Sequence, residues 1–388
     1  MDLRFSKEQE ELRKRMRKFA EEKLKPHAME WEEKEEFPPE LIRLLRQEDI
    51  FKYLFPKEYG GAGISSVNIC IIREELSRVC VEAEMLPVMQ GLGSYPITLY
   101  GTEEQKRKYF PPLVKGEKFI SFCLTEPGAG SDVAGIESTA RLDGDSYILS
   151  GTKIYVAHPQ YAEVFTVFAK TAPELKGKGI SAFIVEKGFP GIKFEKMHLM
   201  PAQPVGRMIM VNCRVPKENL LGPLNRGMRV ALSNLDVFRT TVGATVIGMA
   251  QSALEEATQF AKGRVAFERP IVELQAIQFK LADMATQVEA ARLLVYRAAW
   301  MKDQGLEVIK EASMAKYFAT EIAQKVADEA VQILGGRGIW QENRVSFLYK
   351  AVRPPRIYEG TSEIQKIVIA RELLKGKPWE GPGVVGNF

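Results

Sequence analysis

The residues with the clearest chemical potential lie in the run Arg356-Ile357-Tyr358-Glu359-Gly360-Thr361-Ser362-Glu363. One carboxylate stands between aromatic or apolar neighbours and a glycine, just before a helix-like segment. Pro354 and Pro355 stiffen the approach, and Gly360 allows close contact with a ligand. In a poorly hydrated pocket Glu359 would become a stronger base for a weakly acidic proton. The other reading is a carboxylate near a helix N-terminus, stabilised by the helix dipole. A second segment, Leu124-Thr125-Glu126-Pro127-Gly128-Ala129-Gly130-Ser131-Asp132, offers backbone N–H groups and hydroxyls to a flat heterocycle or a phosphate. It reads equally as a tight connection between domains.

The elements that must hold these segments form three blocks, an α+β multi-domain pattern. Residues 1–119 read as helical: Phe5, Leu12, Met16 and Phe19 recur at helical spacing, Glu40 to Phe55 is amphipathic, and one largely apolar helix follows from about Val67. From Ile120 the period changes to two, and Ser146–Ser150, Val164–Phe168, Ile180–Val185 and Met208–Val215 are expected strands. Residues 120–226 are therefore expected to form a small β-barrel or sandwich. Helical spacing returns in 227–388, with long segments over Met228–Lys262, Glu273–Gln304, Glu307–Leu334 and Thr361–Leu374 that suit a four-helix bundle.

Composition narrows the function. The chain has 388 residues, 45% hydrophobic and 27% charged, which describes a soluble globular protein of two or three domains. No apolar run approaches the roughly 20 residues a membrane-spanning helix needs. The start, Met1-Asp2-Leu3-Arg4, has no hydrophobic signal core and is rich in acidic residues, so a cytoplasmic protein is expected. Cys70, Cys80, Cys123 and Cys213 have neither disulfide-scaffold density nor metal-ligand spacing. With only His27, His158 and His198, a His-rich zinc site and a compact Ser-His-Asp signature lack support. A net charge of +4, with Lys and Arg alternating with Glu from Lys7 to Glu36, describes a solvated helix face and not a nucleic-acid patch.

Together the two motifs closely resemble the acyl-CoA dehydrogenase family, from the Arg4 region to about Leu374. Pro56-Lys57-Glu58-Tyr59-Gly60-Gly61, Gly151-Thr152-Lys153, Val215-Pro216-Lys217-Glu218-Asn219-Leu220-Leu221-Gly222 and Gln332-Ile333-Leu334-Gly335-Gly336 extend the resemblance in order. It implies the same helix–β–helix architecture, a homotetramer, and FAD in a cleft between the β domain and the C-terminal bundle. It also implies a role in fatty acid β-oxidation: dehydrogenation of an acyl-CoA to a trans-2-enoyl-CoA, with electrons passed to an electron-transferring flavoprotein. A carboxylate can take the proton beside a thioester carbonyl, but the β hydrogen must leave as hydride. No side chain accepts hydride, so an organic cofactor is required. A strand–GxGxxG–helix unit for a nicotinamide is missing: Gly335-Gly336-Arg337-Gly338 follows a helix.

Carried across by the resemblance, Glu359 is the base, and its backbone N–H together with a ribityl hydroxyl binds the thioester oxygen. Phe122, Leu124, Thr125, Gly130 and Ser131 line the flavin ring and pyrophosphate, and Ser131 also borders the substrate. Arg264, Phe267 and Gln275 contact the FAD of a neighbouring subunit. Gln332, Gly335 and Gly336 cradle its adenosine-diphosphate portion, although Gly335-Gly336 also reads as a simple helix cap. Thr361 and Glu363 are the near-side counterpart. Asp236 and Arg239, three apart on one helix face, match residues that contact CoA and read equally as an intrahelical ion pair. Arg371 matches a position near the ligand. No metal is expected.

The pattern departs in places. Tyr155-Val156-Ala157 replaces the usual Trp-Ile-Thr, so Tyr155 covers the flavin face and Ala157 keeps only its backbone N–H. Glu268 stands where Gly is usual, and Met197-His198-Leu199-Met200-Pro201 replaces a Gly-containing turn. Some relatives carry the base one residue before the helix arginine; that position is Phe238, which leaves Glu359 without a rival. The acyl pocket is expected around Met85 to Tyr95, where Gly91, Gly93 and Ser94 either leave space or serve packing. The absence of Lys and Arg between Val79 and Glu104 opposes a dicarboxylic acyl tail. An enoyl-CoA reductase or an oxygen-using oxidase of the same fold remains the nearest alternative, and a non-catalytic flavoprotein that binds nucleic acid is a more distant one.

Overall fold

Side-chain capping starts the first helix. In the computed structural model, which describes residues 4–375, Ser6 accepts the Gln9 amide and its own amide is met by the Gln9 side chain, opening α1 (Lys7–Phe19). Then follow α2 (Ala28–Glu32), α3 (Pro39–Gln47), α4 (Ser66–Ser77), α5 (Val81–Tyr100) and α6 (Glu103–Val114), the last opened by the same device at Thr102 and Gln105. One apolar helix was expected from Val67, but the structure has two. The chain turns at Arg78–Cys80, where the Val79 and Cys80 amides both close on the Leu76 carbonyl. Arg78 there reaches Glu255 through two hydrogen bonds of 3.0 and 2.6 Å.

The middle of the chain is an eight-stranded sheet: β1 (Ile120–Cys123), β2 (Thr139–Asp143), β3 (Ser146–Ala157), β4 (Val164–Lys170), β5 (Ile180–Glu186), β6 (Ile192–Met197), β7 (Val205–Pro216) and β8 (Leu220–Leu221). The order is β6-β7-β3-β2-β4-β5-β8, with β1 added in parallel on β4. β2 meets β4 at one position, Thr139 opposite Lys170, so the two halves of the sheet fold face to face there. Leu149, Val156, Met208, Met210 and Val215 from one half pack in a single core with Phe165, Val167, Phe183 and Val185 from the other. Tyr147 against Phe183 and Phe165 against Phe194, with centroids at 5.0 and 5.1 Å, bridge the halves. β2 and β6 escaped the sequence reading because their faces are mostly exposed or half-buried and carry no apolar run.

Beyond the sheet come α7 (Gly227–Gly263), the two-residue strands β9 (Val265–Ala266) and β10 (Arg269–Pro270), then α8 (Gln275–Asp303), α9 (Ile309–Leu334), α10 (Arg344–Ala351) and α11 (Ser362–Leu374). α10 was not anticipated; it is a short helix opened by the Asn343 side chain on the Val345 amide and followed closely by Pro354.

By internal contacts the chain forms two compact units. Of the described residues, one comprises those up to Lys25, Ser65–Val81 and those from Arg239 on; the other comprises Pro26–Ile64 and Glu82–Phe238. In the first, buried carboxylates on α4 tie helices distant in sequence. Glu75 accepts Arg13 and Arg17, Glu74 accepts Arg292 and Tyr296, and Asp303 caps the α4 N-terminus through Ser65, Ser66 and Val67. Alanines keep α9 thin enough for close packing: Ala312, Ala315, Ala319 and Ala323 are all buried.

In the second unit His158 is buried beside Phe37 and Phe119, and burial pulls its pKa down to about 3. A depressed histidine pKa contributes stability that is complete above the unfolded value of about 6.5 and is lost as pH falls toward 3. Urea denaturation between pH 7 and pH 4 should therefore show wild-type stability falling more steeply than that of His158→Gln, by about 1.4 kcal/mol per pH unit. Parallel curves would contradict this.

Candidate active site

The Glu359 segment is an unusual piece of backbone. Glu359 has φ +54° and Gly360 φ +92°, two successive residues in the left-handed region. For a glutamate that conformation is strained by roughly 1–2 kcal/mol, and it persists only where neighbours enforce it. Here they do. Arg239 Nε on α7 donates to the Glu359 carbonyl at 3.1 Å. Gln365 Nε2 on α11 donates to the Glu359 and Gly360 carbonyls at 3.2 and 2.9 Å. Lys316 Nζ on α9 donates to the Gly360 carbonyl at 2.7 Å. A side chain at 360 would meet Gln365 Nε2 at 2.6 Å, so glycine is required twice over, by φ and by space.

Neighbouring bonds fix both flanks of the turn. Arg356 reaches Glu321 of α9 through two hydrogen bonds of 2.8 and 2.6 Å, and Ser362 Oγ donates to the same carboxylate at 2.6 Å. Both Glu359 carboxylate oxygens are closed off from solvent. The helix-dipole role considered for Glu359 belongs elsewhere. Thr361 is the N-cap of α11, and Glu363 in the first turn has its pKa lowered by backbone hydrogen bonding and by the Thr361 hydroxyl.

In the other unit the Gly-rich loop is anchored to β3. The Ile154 amide donates to the Thr125 carbonyl at 2.9 Å, and Lys153 Nζ donates to the Leu124 carbonyl at 3.2 Å and to Glu126 at 2.5 Å. Glu126 also accepts the Glu137 and Ser138 amides. Lys153 and Glu126 are both buried, and their mutual attraction works against the burial that opposes charge on each. Phe122 lies half-buried on β1 against Phe168, and the Ser121 hydroxyl ties β1 to the Ala157 carbonyl at the end of β3. A register shift between Lys153 and Val156 bulges β3 outward at Tyr155, which has φ +55° and is 55% exposed.

Glycine packing separates the glycines that the fold requires from those it does not. A side chain placed at Gly128, Gly130 or Gly336 would meet nothing within 4 Å, and none of the three has positive φ. Nothing within the fold demands glycine there. Gly335, with φ +59°, is the C-cap of α9, so capping already accounts for it. Gly91 and Gly93 are packing glycines: an added Cβ would sit 2.8 Å from the Phe238 ring and 3.1 Å from Ile120. Phe238 is buried against Gly91 and Tyr95, which explains an aromatic at that position.

The remaining positions are spread over the segments that follow β8. Arg264 and the 85% exposed Phe267 lie on the hairpin after α7, where Phe267 and Glu268 both have positive φ; Glu268 thus occupies a turn position that favours glycine. Gln275 opens α8 and Gln332 lies in the last turn of α9, both exposed. Arg371 is exposed near the far end of α11, roughly 15 Å along the helix axis from Thr361, and does not join the Glu359 cluster. Asp236 is on α7, but its side chain lies outside the described residues.

Residues 6–117, 121–213 and 225–374 match the N-terminal, middle and C-terminal domains of acyl-CoA dehydrogenase. A 3-(aryl)acrylate reductase of Clostridium sporogenes is 44% identical over 96% of this chain and 100% of its own. An acyl-CoA dehydrogenase of Bacillus subtilis is 42% identical over the same shares. The chain belongs to the acyl-CoA dehydrogenase family. A caffeyl-CoA reductase–Etf complex subunit CarC of Acetobacterium woodii is 42% identical, covering 96% of this chain and 99% of that protein. Among solved structures, butyryl-CoA dehydrogenase of Megasphaera elsdenii superposes with a TM-score of 0.93 at 36% identity, over 96% of this chain and all of that one. An acyl-CoA dehydrogenase of Bacillus anthracis complexed with FAD gives 0.89 at 34% identity, over 96% of this chain and 67% of that one.

For this family member, sequence reasoning missed Lys316, Gln365 and the Glu126–Lys153 pair. Lys316 left a readable signal: it falls on the helical face of Ala312, Ala319 and Ala323, where a lysine is out of place. Removing one member of the buried pair strands the other. Glu126→Leu should cost about 3–5 kcal/mol in chemical denaturation, and Glu126→Leu with Lys153→Met should recover most of it. Equal losses in the single and double variants would show that the pair is not coupled.

Proposed function

We propose that this chain is an FAD-dependent acyl-CoA dehydrogenase that forms a trans-2-enoyl-CoA, with Glu359 as the base, and passes electrons to an electron-transferring flavoprotein. The carrying observation is the Glu359 side chain itself: a carboxylate withdrawn from solvent, on a strained turn held by Arg239, Gln365 and Lys316. Withdrawal from water strengthens the base, and fixing the turn spares the reorganisation a mobile base would need.

The residues present fit FAD. Gly128, Gly130 and Gly336 leave open backbone that a side chain would obstruct, and the Leu124–Ser131 loop is braced against β3. On this reading Phe122, Leu124, Thr125, Gly130, Ser131, Tyr155 and Ala157 hold the ring and pyrophosphate, with Thr361 and Glu363 on the near side. Arg264, Phe267, Gln275, Gln332, Gly335 and Gly336 serve the FAD of a neighbouring subunit. When bound, FAD supplies the hydride acceptor that side chains lack. Glu359 takes the proton from the α carbon of the thioester. Asp236, Arg239, Ser131 and Arg371 border the substrate.

A homotetramer suits the exposed Val265, Phe267, Phe279, Ile339 and Trp340, apolar groups that a second copy would cover. Three modules, 1–119, 120–226 and 227–388, and a cytoplasmic setting complete the proposal; no helix among the described residues is long and apolar enough to cross a membrane. The electron-transferring flavoprotein is supported by the name of the Acetobacterium woodii relative.

The reductive direction is the second reading, favoured by the two relatives named as reductases. By microscopic reversibility Glu359 then delivers its proton to the α carbon. Anaerobic titration of the oxidised protein with acyl-CoAs, and of the dithionite-reduced protein with enoyl-CoAs, ranks the two directions. In either case Glu359→Gln should retain the yellow FAD spectrum and lose at least about 100-fold in the rate of flavin bleaching by acyl-CoA. Bleaching at the wild-type rate would remove Glu359 from the mechanism.

A further inference from the structure

We propose that Lys316 is a positioning residue of this reaction, its buried ammonium bracing the Glu359–Gly360 turn and holding the Glu359 side chain in its carboxylate form. The inference rests on reading Glu359 as the base. Lys316 is fully buried on α9, among alanines that supply no hydrogen-bond acceptor through their side chains. Burying an ammonium is costly unless charge and hydrogen bonds compensate. Its one hydrogen bond to the turn is the 2.7 Å contact with the Gly360 carbonyl.

Four charged groups face it: Glu359 on the turn, Arg239 on α7, Glu321 on its own helix and Glu363 on α11. Glu321 is already engaged by Arg356 and Ser362, and Glu363 is exposed at the start of α11. Glu359 provides the leading attraction. Attraction between two groups is mutual. A carboxylate taken out of water drifts toward its neutral acid, which cannot abstract a proton; a neighbouring cation opposes that drift. Lys316 thus supplies what burial of the base removes.

The device has a limit that can be measured. Burial, with Arg239 opposing a second positive charge, lowers the Lys316 pKa to about 8. Below that pH the ammonium is present; above it the neutral amine is a weaker donor to the Gly360 carbonyl, the brace on the turn slackens, and turnover should fall.

The test uses the FAD-loaded protein with butyryl-CoA as probe, following anaerobic flavin reduction from pH 6 to 10. Wild type should show a falling limb near pH 8. K316M should lose roughly 10- to 100-fold in rate at pH 7 with little change in KM, and should lack that limb. K316R, whose charge persists, should move the limb upward. A K316M rate and profile matching wild type would overturn the proposal. Should K316M fail to retain FAD, a wild-type profile without a limb near pH 8, or an unmoved limb in K316R, overturns it equally. E359Q separates the two levels: full flavin reduction in E359Q refutes Glu359 as base, whereas an inactive E359Q beside unaltered Lys316 variants refutes Lys316 alone.

Discussion

The left-handed turn at Glu359–Gly360 is the constraint around which the helical unit is arranged. A chain left to itself avoids two successive residues with positive φ when one of them carries a side chain. Three helices oppose that tendency through donors of different kinds: a guanidinium from α7, an ammonium from α9 and an amide from α11. Carbonyl oxygens receive all of them, so the bonds fix the backbone of the turn. α9 reaches this short segment twice, through Lys316 at Gly360 and through Glu321 at Arg356 and Ser362.

The β unit solves a related problem with different means. Its loop from Leu124 to Asp132 is glycine-rich, yet Leu124, Thr125 and Glu126 are all bonded to β3 within one small patch. The Glu126–Lys153 pair adds little net stability by itself, because both charges lose their water. Its contribution is directional: it orients the loop without occupying the loop's own outward N–H groups. The open space over Gly128 and Gly130 is consistent with that division of labour.

Much of the architecture was legible in the sequence, because amphipathic helices and β-branched strands carry their periodicity openly. Helices α7, α8, α9 and α11 and strands β4, β5 and β7 lie where spacing places them. Elements with weak patterning were not legible: β2 and β6 expose much of both faces, and the break between α4 and α5 falls inside a continuous apolar stretch, where Arg78 meets a partner far along the chain, Glu255. At the site, Glu359 and the glycine loop announced themselves by local composition. Gln365 did not, and the lysine set among alanines at Lys316 marks an anomaly without showing that both residues converge on one turn. Gly91 and Gly93 were ambiguous until Phe238 and Ile120 appeared beside them.

The most direct measurement is a crystal structure of the FAD-loaded protein with a non-reactive thioether analogue of an acyl-CoA. The account predicts a Glu359 carboxylate oxygen within about 3–3.5 Å of the carbon corresponding to Cα, on the face opposite the isoalloxazine, with the turn still held by Arg239, Gln365 and Lys316. A Glu359 side chain directed away from that carbon, or an intact turn with another group in its place, would contradict it.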